Sequence, residues 1–366
     1  MTSPQSVTPS LLERALHKLQ QSLLWLLLSS YALGALWPGP GTSLRKLGVG
    51  ELRVGSQTLG LSAPMLMLAF LLFNAGLGAR VEELRHLIKK PAMAMVGLLA
   101  NTALPVLYAF AIVSLMRPWP EVDETQNILV GLALIGAMPI AGASTAWAQN
   151  AQGNLALSLG LVLASTVLSP ILTPVVLNAL SSVATGEYAD AMRLLAESGT
   201  QLFLAVSVAV PSFLGLAVRR VLPPAVVQRV MPTLKLLNLL VLLSLNYSNA
   251  ALALPGVLRE PDYDFLAIVA IVVALLCGLA FATGARLARL FHGTEADVTS
   301  LMFGLGMNNN GTGLVLASTA LSAYPAVTIP ILMYNLVQQV AAGLVDAYAR
   351  RRRTFAVTEA SPARTA

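Results

Sequence analysis

The sequence predicts an all-α polytopic membrane protein in which ten transmembrane helices form two inverted five-helix repeats. Hydrophobic residues occupy 56% of its 366 positions and charged residues only 11%, a composition typical of multi-spanning membrane proteins. Ten apolar segments can be drawn, each near the roughly 20 residues that cross a hydrocarbon core. Two segments are interrupted at corresponding places in the two halves. Because five segments per half gives the halves opposite orientations, this pattern predicts an inverted repeat.

The predicted segments also divide the chain into regions. The segments cover residues 22–37, 59–78, 91–115, 127–149, 153–180, 200–218, 234–254, 265–285, 298–321 and 325–348. We therefore expect an amphipathic N-terminal segment on the membrane surface (1–21), a first repeat (22–180), a second repeat (199–348) and a disordered cytoplasmic tail (350–366).

The distribution of Lys and Arg predicts the orientation. If the ten segments span the membrane, one side collects 17 of these residues and the other side 6. Since cytoplasmic loops carry the excess, both termini are predicted to be cytoplasmic, in a multi-pass protein of the cell (inner) membrane. The net charge of +6 follows from this bias, and no other feature suggests a nucleic-acid partner.

The reactive residues do not predict an enzyme. Cys277 is the only cysteine, so no intrachain disulfide can form. Ser144 has no candidate base, because His17, His86 and His292 all lie outside the apolar segments. No zinc-protease, phosphate-loop or Cys/His metal motif is present in the sequence. We expect no cofactor apart from a sodium ion. The lipid bilayer is an expected partner, and the protein is expected to be a monomer.

The two interruptions are the strongest pointer to function. One is the Pro/Gly/Ser run from Gly136 to Thr145 in the fourth segment; the other is the run from Gly304 to Gly313, with three consecutive asparagines, in the ninth. Lipid cannot satisfy such polar groups, so they are tolerated where they line a cavity or pack inside protein. Singly, each run could be a static kink or a hydrogen-bonded helix contact. Their correspondence predicts one central binding site.

The same runs supply the candidate substrate residues. Half-helices beginning near Thr145 and Gly311 would direct positive dipole ends and free N–H groups into the cavity, which suits a carboxylate. Asn335 and Gln339 share one face of the tenth segment, as cavity wall or as helix contact. The predicted substrate-binding residues are Thr145, Asn309, Asn310, Gly311 and Asn335.

Four motifs make the chain resemble the bile acid:sodium symporter family, within the bile/arsenite/riboflavin transporter superfamily, from about residue 59 to 348. The motifs are Leu-Phe-Asn-Ala-Gly-Leu (72–77), Pro-Ile-Ala-Gly-Ala-Ser-Thr (139–145), Gln-Gly-Asn-Leu-Ala-Leu-Ser (152–158) with Ser-Pro-Ile-Leu-Thr-Pro (169–174), and Gly-Met-Asn-Asn-Asn-Gly (306–311). The resemblance implies that the fourth and ninth helices are unwound and cross in a core, beside a panel of the first, second, sixth and seventh. It also implies an organic anion as substrate, such as a bile acid, pantoate or another carboxylate.

The resemblance further implies a sodium-ligand set, which this chain carries only in part. The corresponding residues are Ser144, Thr145, Ser158, Met307, Asn308 and Asn309. Thr145 stands in place of a usual asparagine, Val162 of a threonine and Asn308 of a glutamine. Gly304 stands where many sodium-coupled members have a glutamate.

The absence of that glutamate weakens the case for sodium coupling. A buried cation without an anionic partner leaves a desolvation cost of several kcal/mol. No Asp or Glu lies deep in a predicted segment, and Asp346 is placed at the cytoplasmic surface. The sequence therefore predicts a secondary transporter of an organic anion that works by alternating access with weakened sodium coupling. The alternatives are an ion-uncoupled facilitator or efflux transporter, and a non-transporting membrane sensor.

Overall fold

The structure, a computed structural model, describes residues 19, 22–55, 57–79, 91–197 and 200–359. Helices dominate them, and the only strands in these ranges form one hairpin. The helices are α1 (Leu23–Leu36), α2 (Pro38–Lys46), α3 (Ala63–Gly78), α4 (Pro91–Leu115), α5 (Val122–Ala137), α6 (Ala143–Asn150), α7 (Leu155–Ser181), α8 (Gly186–Glu197), α9 (Thr200–Val221), α10 (Pro224–Arg259), α11 (Tyr263–Leu290), α12 (Glu295–Gly306), α13 (Asn310–Ala320) and α14 (Thr328–Glu359).

Six of the described helices are long and apolar enough to cross a membrane, which makes the chain a multi-pass membrane protein. They are Pro91–Leu115, Leu155–Ser181, Thr200–Val221, Pro224–Arg259, Tyr263–Leu290 and Pro325–Ala349. Two shorter apolar helices, Trp25–Leu36 and Ala63–Gly78, lie in the first two predicted segments. The fourth predicted segment is divided between α5 and α6, and the ninth between α12 and α13.

Several predicted boundaries are wrong. The second segment was expected to be helical from residue 59, but Gln57–Ser62 is a strand that pairs antiparallel with Gly48–Val54. Gly55, at a φ of +61°, supplies the left-handed turn that closes this hairpin. At the other end, α14 continues to Glu359, into the segment expected to be disordered, because its arginines are good helix formers. The expected N-terminal helix and the last residues of the tail lie outside the described residues.

One group of helices packs through very close backbone contacts. Helix α1 packs on α10, and α3 packs on both α9 and α10. At the α3–α9 crossing, a Cβ added to Gly215 would overlap the carbonyl oxygen of Phe73, and one added to Gly76 would overlap that of Ser212. Small residues allow this approach, as is usual between membrane helices. We call α1, α3, α9 and α10 the panel.

Replacing Gly215 by alanine is expected to destabilise the panel. The atom that a new Cβ would meet belongs to the backbone of α3, which cannot move aside cheaply, so the expected cost is about 1–3 kcal/mol. Thermal unfolding in detergent would measure it. Gly278 is the matched control, because a Cβ there meets nothing within 4 Å and alanine is the better helix former. Equal melting temperatures for the two variants would contradict the prediction.

A second group of helices, α4 to α7 and α11 to α14, forms what we call the core. Its centre is α5, in which every residue from Glu124 to Ala137 is buried. A helix covered on all sides must lie inside the bundle. At Gly136 it packs against Pro105 of α4. The core thus holds the carboxyl end of α5 at the middle of the protein.

Candidate functional site

The two sequence breaks meet each other. Between α5 and α6 the backbone is extended, and so it is between α12 and α13; Ile140 and Asn308 form an antiparallel bridge between the two stretches. Two backbone hydrogen bonds of 2.8 Å flank the bridge, from Ala141 N–H to Met307 C=O and from Asn309 N–H to Pro139 C=O. We call this contact the crossing. The backbone groups in each break have no partner within a helix. Each break therefore supplies hydrogen-bond partners for the other.

Side chains from a neighbouring helix form hydrogen bonds with further backbone groups at the first break. Ser165 Oγ, on α7, accepts the Ile140 N–H at 3.0 Å, and Thr173 Oγ1 donates to the Ala137 carbonyl at 2.6 Å. Pro139 has no N–H to satisfy. These residues belong to the Ser-Pro-Ile-Leu-Thr-Pro helix that the sequence singled out, so that helix supports the broken backbone.

Hydrogen bonds from α14 hold the second break in place. Gln338 bonds both backbone groups of Asn308: its Oε1 accepts the N–H at 3.1 Å and its Nε2 donates to the carbonyl at 3.2 Å. The Asn308 side chain donates to Ile135 C=O at 3.0 Å. Asn309 caps α13, its Oδ1 accepting from Thr312 N–H at 3.3 Å. The three consecutive asparagines therefore differ in role, since one ties the breaks together and the next begins a helix.

Several buried polar atoms around the crossing have no hydrogen-bond partner. They are Ser144 Oγ, Asn308 Oδ1, Thr312 Oγ1 and both side-chain polar atoms of Asn310. All four side chains are at most 1% exposed. An unsatisfied buried polar group costs about 1–3 kcal/mol, so such a concentration marks a place where a ligand or water supplies the missing partners.

The predicted residues occupy different parts of this site. Ser158 Oγ donates to Thr145 Oγ1 at 3.2 Å, which joins the first turns of α6 and α7. Met307 is fully buried and contributes its carbonyl to the crossing. Gly311 faces the panel, because a Cβ there would come within 3.9 Å of Leu245 on α10. Whether these residues bind substrate or sodium stays a prediction.

Asn335 lies one step away from the crossing, in a polar chain that the sequence did not reveal. Its Nδ2 donates to Tyr31 OH at 2.7 Å and to Asn246 Oδ1 at 3.0 Å, and its Oδ1 accepts from Gln338 at 3.2 Å. Since Gln338 holds Asn308, the hydrogen bonds run without interruption from the panel to the crossing. Tyr31 carries no sequence signal that could have placed it in this chain of hydrogen bonds.

Two acidic residues also differ from expectation. Asp346 was placed at the cytoplasmic surface, yet it is only 2% exposed, and α14 continues past it. Asp297 was not singled out, although it is fully buried at the start of α12. It accepts from Thr294 and, at 2.8 Å, from Asn154 Nδ2. The Thr-x-x-Asp capping pattern could have indicated this position.

A Cβ at Gly304 would require only a small shift of one neighbouring side chain. A Cβ there would approach one atom, Leu161 Cδ1, at 3.1 Å. At Gly306, two residues on, a Cβ would overlap the ring of Phe281. A Cβ is therefore much harder to accommodate at residue 306 than at residue 304.

The sequence of this chain is similar to a known family and to several known proteins. The profile described as the Sodium Bile acid symporter family matches residues 65–258. The Bacillus subtilis protein named uncharacterized protein YbaS is 28% identical over 75% of this chain and 85% of its own length. The uncharacterized sodium-dependent transporter YocS of the same organism is 24% identical, over 77% and 81%. The rice protein named probable sodium/metabolite cotransporter BASS2, chloroplastic, is 24% identical, over 72% and 58%.

Proposed function

We propose that this chain, which belongs to the Sodium Bile acid symporter family, carries an organic anion across the membrane by alternating access. Membership makes it a secondary transporter, and members of the family are transporters, not enzymes. The observation that carries the proposal is the crossing, where two broken helices meet around buried polar atoms without partners.

The chemistry of the crossing favours an anion. Helices α6 and α13 both begin there, so their N-terminal dipole ends and N–H groups converge on one region. The unpartnered Ser144 and Thr312 hydroxyls and the Asn310 amide are donors. A carboxylate accepts from all of these groups and needs no buried Arg or Lys. We place the substrate against Thr145, Asn309, Asn310 and Gly311, with Asn335 reached through Gln338.

The panel supplies the moving surface in this proposal. Gly311 faces Leu245 of the panel, and the polar chain through Asn335 joins panel to core at the same level. These hydrogen bonds can break and re-form as the panel shifts, whereas the backbone bonds of the crossing stay within the core. Alternating access then exposes the crossing to each side of the membrane in turn.

The proposal also addresses whether transport is coupled to sodium. Two relatives are named as a sodium-dependent transporter and a sodium/metabolite cotransporter. Here Ser144, Thr145, Ser158, Met307, Asn308 and Asn309 offer oxygen ligands, but residue 304 carries no carboxylate. We therefore propose weak coupling, in which the substrate anion supplies the missing charge. An ion-uncoupled facilitator or efflux transporter is the second candidate, and the absent carboxylate favours it.

Uptake into proteoliposomes tests the proposed function. A thermal-shift screen of small organic acids would first select a stabilising anion, and the labelled anion would then be offered with and without a sodium gradient. Saturable uptake is expected in both conditions, with little stimulation by sodium. A protein that binds anions but moves none of them would be a sensor, and the proposal would be rejected.

We further propose that both termini are cytoplasmic, in the cell membrane. The 17 to 6 division of Lys and Arg motivates this orientation. Reporters active on one side of the membrane only, fused after Arg353, should report the cytoplasmic side. Activity on the outer side would overturn the orientation and the inverted repeat derived with it.

A further inference from the structure

A cavity of about 330 Å³ lies at the end of α5 that is remote from the crossing. The connection before α5, helices α10 and α11, and the turn at residues 325–327 enclose it. Of the described residues that line it, five are acidic and none is Lys or Arg. The acidic residues are Glu121, Asp123, Glu124, Glu260 and Asp262. The cavity therefore carries negative charge that its own walls do not neutralise.

Three of these carboxylates converge on one point. Glu121, Glu124 and Asp262 each present a carboxylate oxygen, and the three oxygens lie within 4.8 Å of one another. Two oxygens bound to the same Ca²⁺ are separated by at most about 5 Å, because each Ca–O distance is about 2.3–2.6 Å. Glu121 and Asp262 are exposed, so an ion can enter, while Glu124 is buried.

The neighbours hold these carboxylates in place without neutralising them. Trp119 Nε1 donates to Glu124 at 2.6 Å, and Asp262 caps α11 by accepting the Phe265 N–H at 3.1 Å. Burial, and then the carboxylates of Asp262 and Glu121, raise the pKa of Glu124 to about 7. Glu124 and Asp262 are thus oriented by their neighbours, and the ionised form of Glu124 is disfavoured unless a cation is bound.

Asn127 is a candidate uncharged ligand next to the three carboxylates. Asn127 lies one turn after Glu124 on the same face of α5 and lines the same cavity. It is 9% exposed, and its Oδ1 has no hydrogen-bond partner. A carbonyl oxygen beside carboxylates is a usual calcium ligand. This unpartnered oxygen is an observation separate from the acidic cluster, and a cation in the cavity would supply its missing partner.

We propose that Glu121, Glu124, Asp262 and the Asn127 carbonyl form a binding site for a divalent cation of the size of Ca²⁺. Such an ion would join the connection between α4 and α5 to the connection between α10 and α11. Because α10 belongs to the panel and α5 to the core, the bound ion would restrain their relative movement. The site lies apart from the crossing, so its existence does not depend on the substrate.

Terbium luminescence provides a direct test with the purified full chain in detergent. Tb³⁺ replaces Ca²⁺ at oxygen sites and emits when a nearby indole is excited, and Trp119 already contacts Glu124. Saturable emission is expected, with Ca²⁺ displacing Tb³⁺ and excess Na⁺ failing to do so. Trp119→Phe should remove the emission while calorimetry still detects Ca²⁺ binding.

Three variants decide the ligand assignment. Glu124→Gln keeps an acceptor for Trp119, and Asp262→Asn keeps the α11 cap, so both should fold; each should weaken Ca²⁺ binding about tenfold or more. Glu260→Gln is the matched control, since Glu260 lines the cavity outside the cluster, and it should change affinity less than about twofold. No Ca²⁺ binding by the wild type, displacement by Na⁺ alone, or equal loss in all three variants would overturn the proposal.

Discussion

Replacing Asn309 by alanine is expected to reduce anion uptake to the level of empty proteoliposomes. Asn309 is half-buried at the start of α13, and its backbone N–H bonds Pro139 across the crossing. Alanine keeps that backbone bond but removes the side-chain amide, which we place against the substrate. It also removes the cap on Thr312 N–H, at a cost of about 1 kcal/mol. That loss alone should leave the protein folded.

Two further substitutions separate the cap from the binding role. Asn309→Ser keeps a good cap without the amide donors, and Asn309→Asp keeps the cap but adds a negative charge that repels an anion. Both are expected to fold with near-normal melting temperatures and to lose uptake. Ser318→Ala, at the other end of α13, is the control, because that hydroxyl bonds only Val315 C=O within the same helix. Normal uptake by Asn309→Ser would show that residue 309 is merely structural.

The breaks were predictable because their signals are local. Pro139 with Gly142, and asparagines flanked by glycines, interrupt apolar runs wherever they occur, so the sequence alone locates both gaps in the helices. Their partners were not predictable. Ser165 and Gln338 reach the breaks from helices that are distant in sequence, and no periodicity relates such positions. Tyr31, in an apolar helix, is joined to Asn335 only by the packing of the panel on the core.

The errors in the fold have similar causes. In the hairpin at residues 48–62, single apolar residues alternate with polar residues and glycine. Only residues 59–62 fell inside the predicted second segment, and so short a stretch does not distinguish a strand from the start of a helix. Asp346 was predicted at the cytoplasmic surface because the charged residues that follow it were taken to end the tenth segment. In the structure, α14 continues to Glu359. A charged residue near the end of a segment therefore says little about its burial.

Replacing Gly304 by glutamate is expected to create sodium stimulation of uptake. Gly304 is buried in α12, just before the crossing, where Asn308 Oδ1 and Ser144 Oγ have no partners. A Cβ at residue 304 meets only the end of the Leu161 side chain, at 3.1 Å, which can rotate. The new carboxylate would supply the negative charge that a buried cation needs, and these neutral oxygens would complete its ligands.

The wild type defines the comparison for this variant. Without the carboxylate, sodium should bind only together with substrate and with millimolar or weaker affinity, worth no more than about 4 kcal/mol. Gly304→Gln is the matched control, because it adds the same bulk without charge and should leave sodium dependence unchanged. Sodium-dependent thermal stabilisation and uptake would be measured for all three proteins. Tight sodium binding by the substrate-free wild type would contradict the argument, since neutral oxygens alone would then suffice to hold the ion.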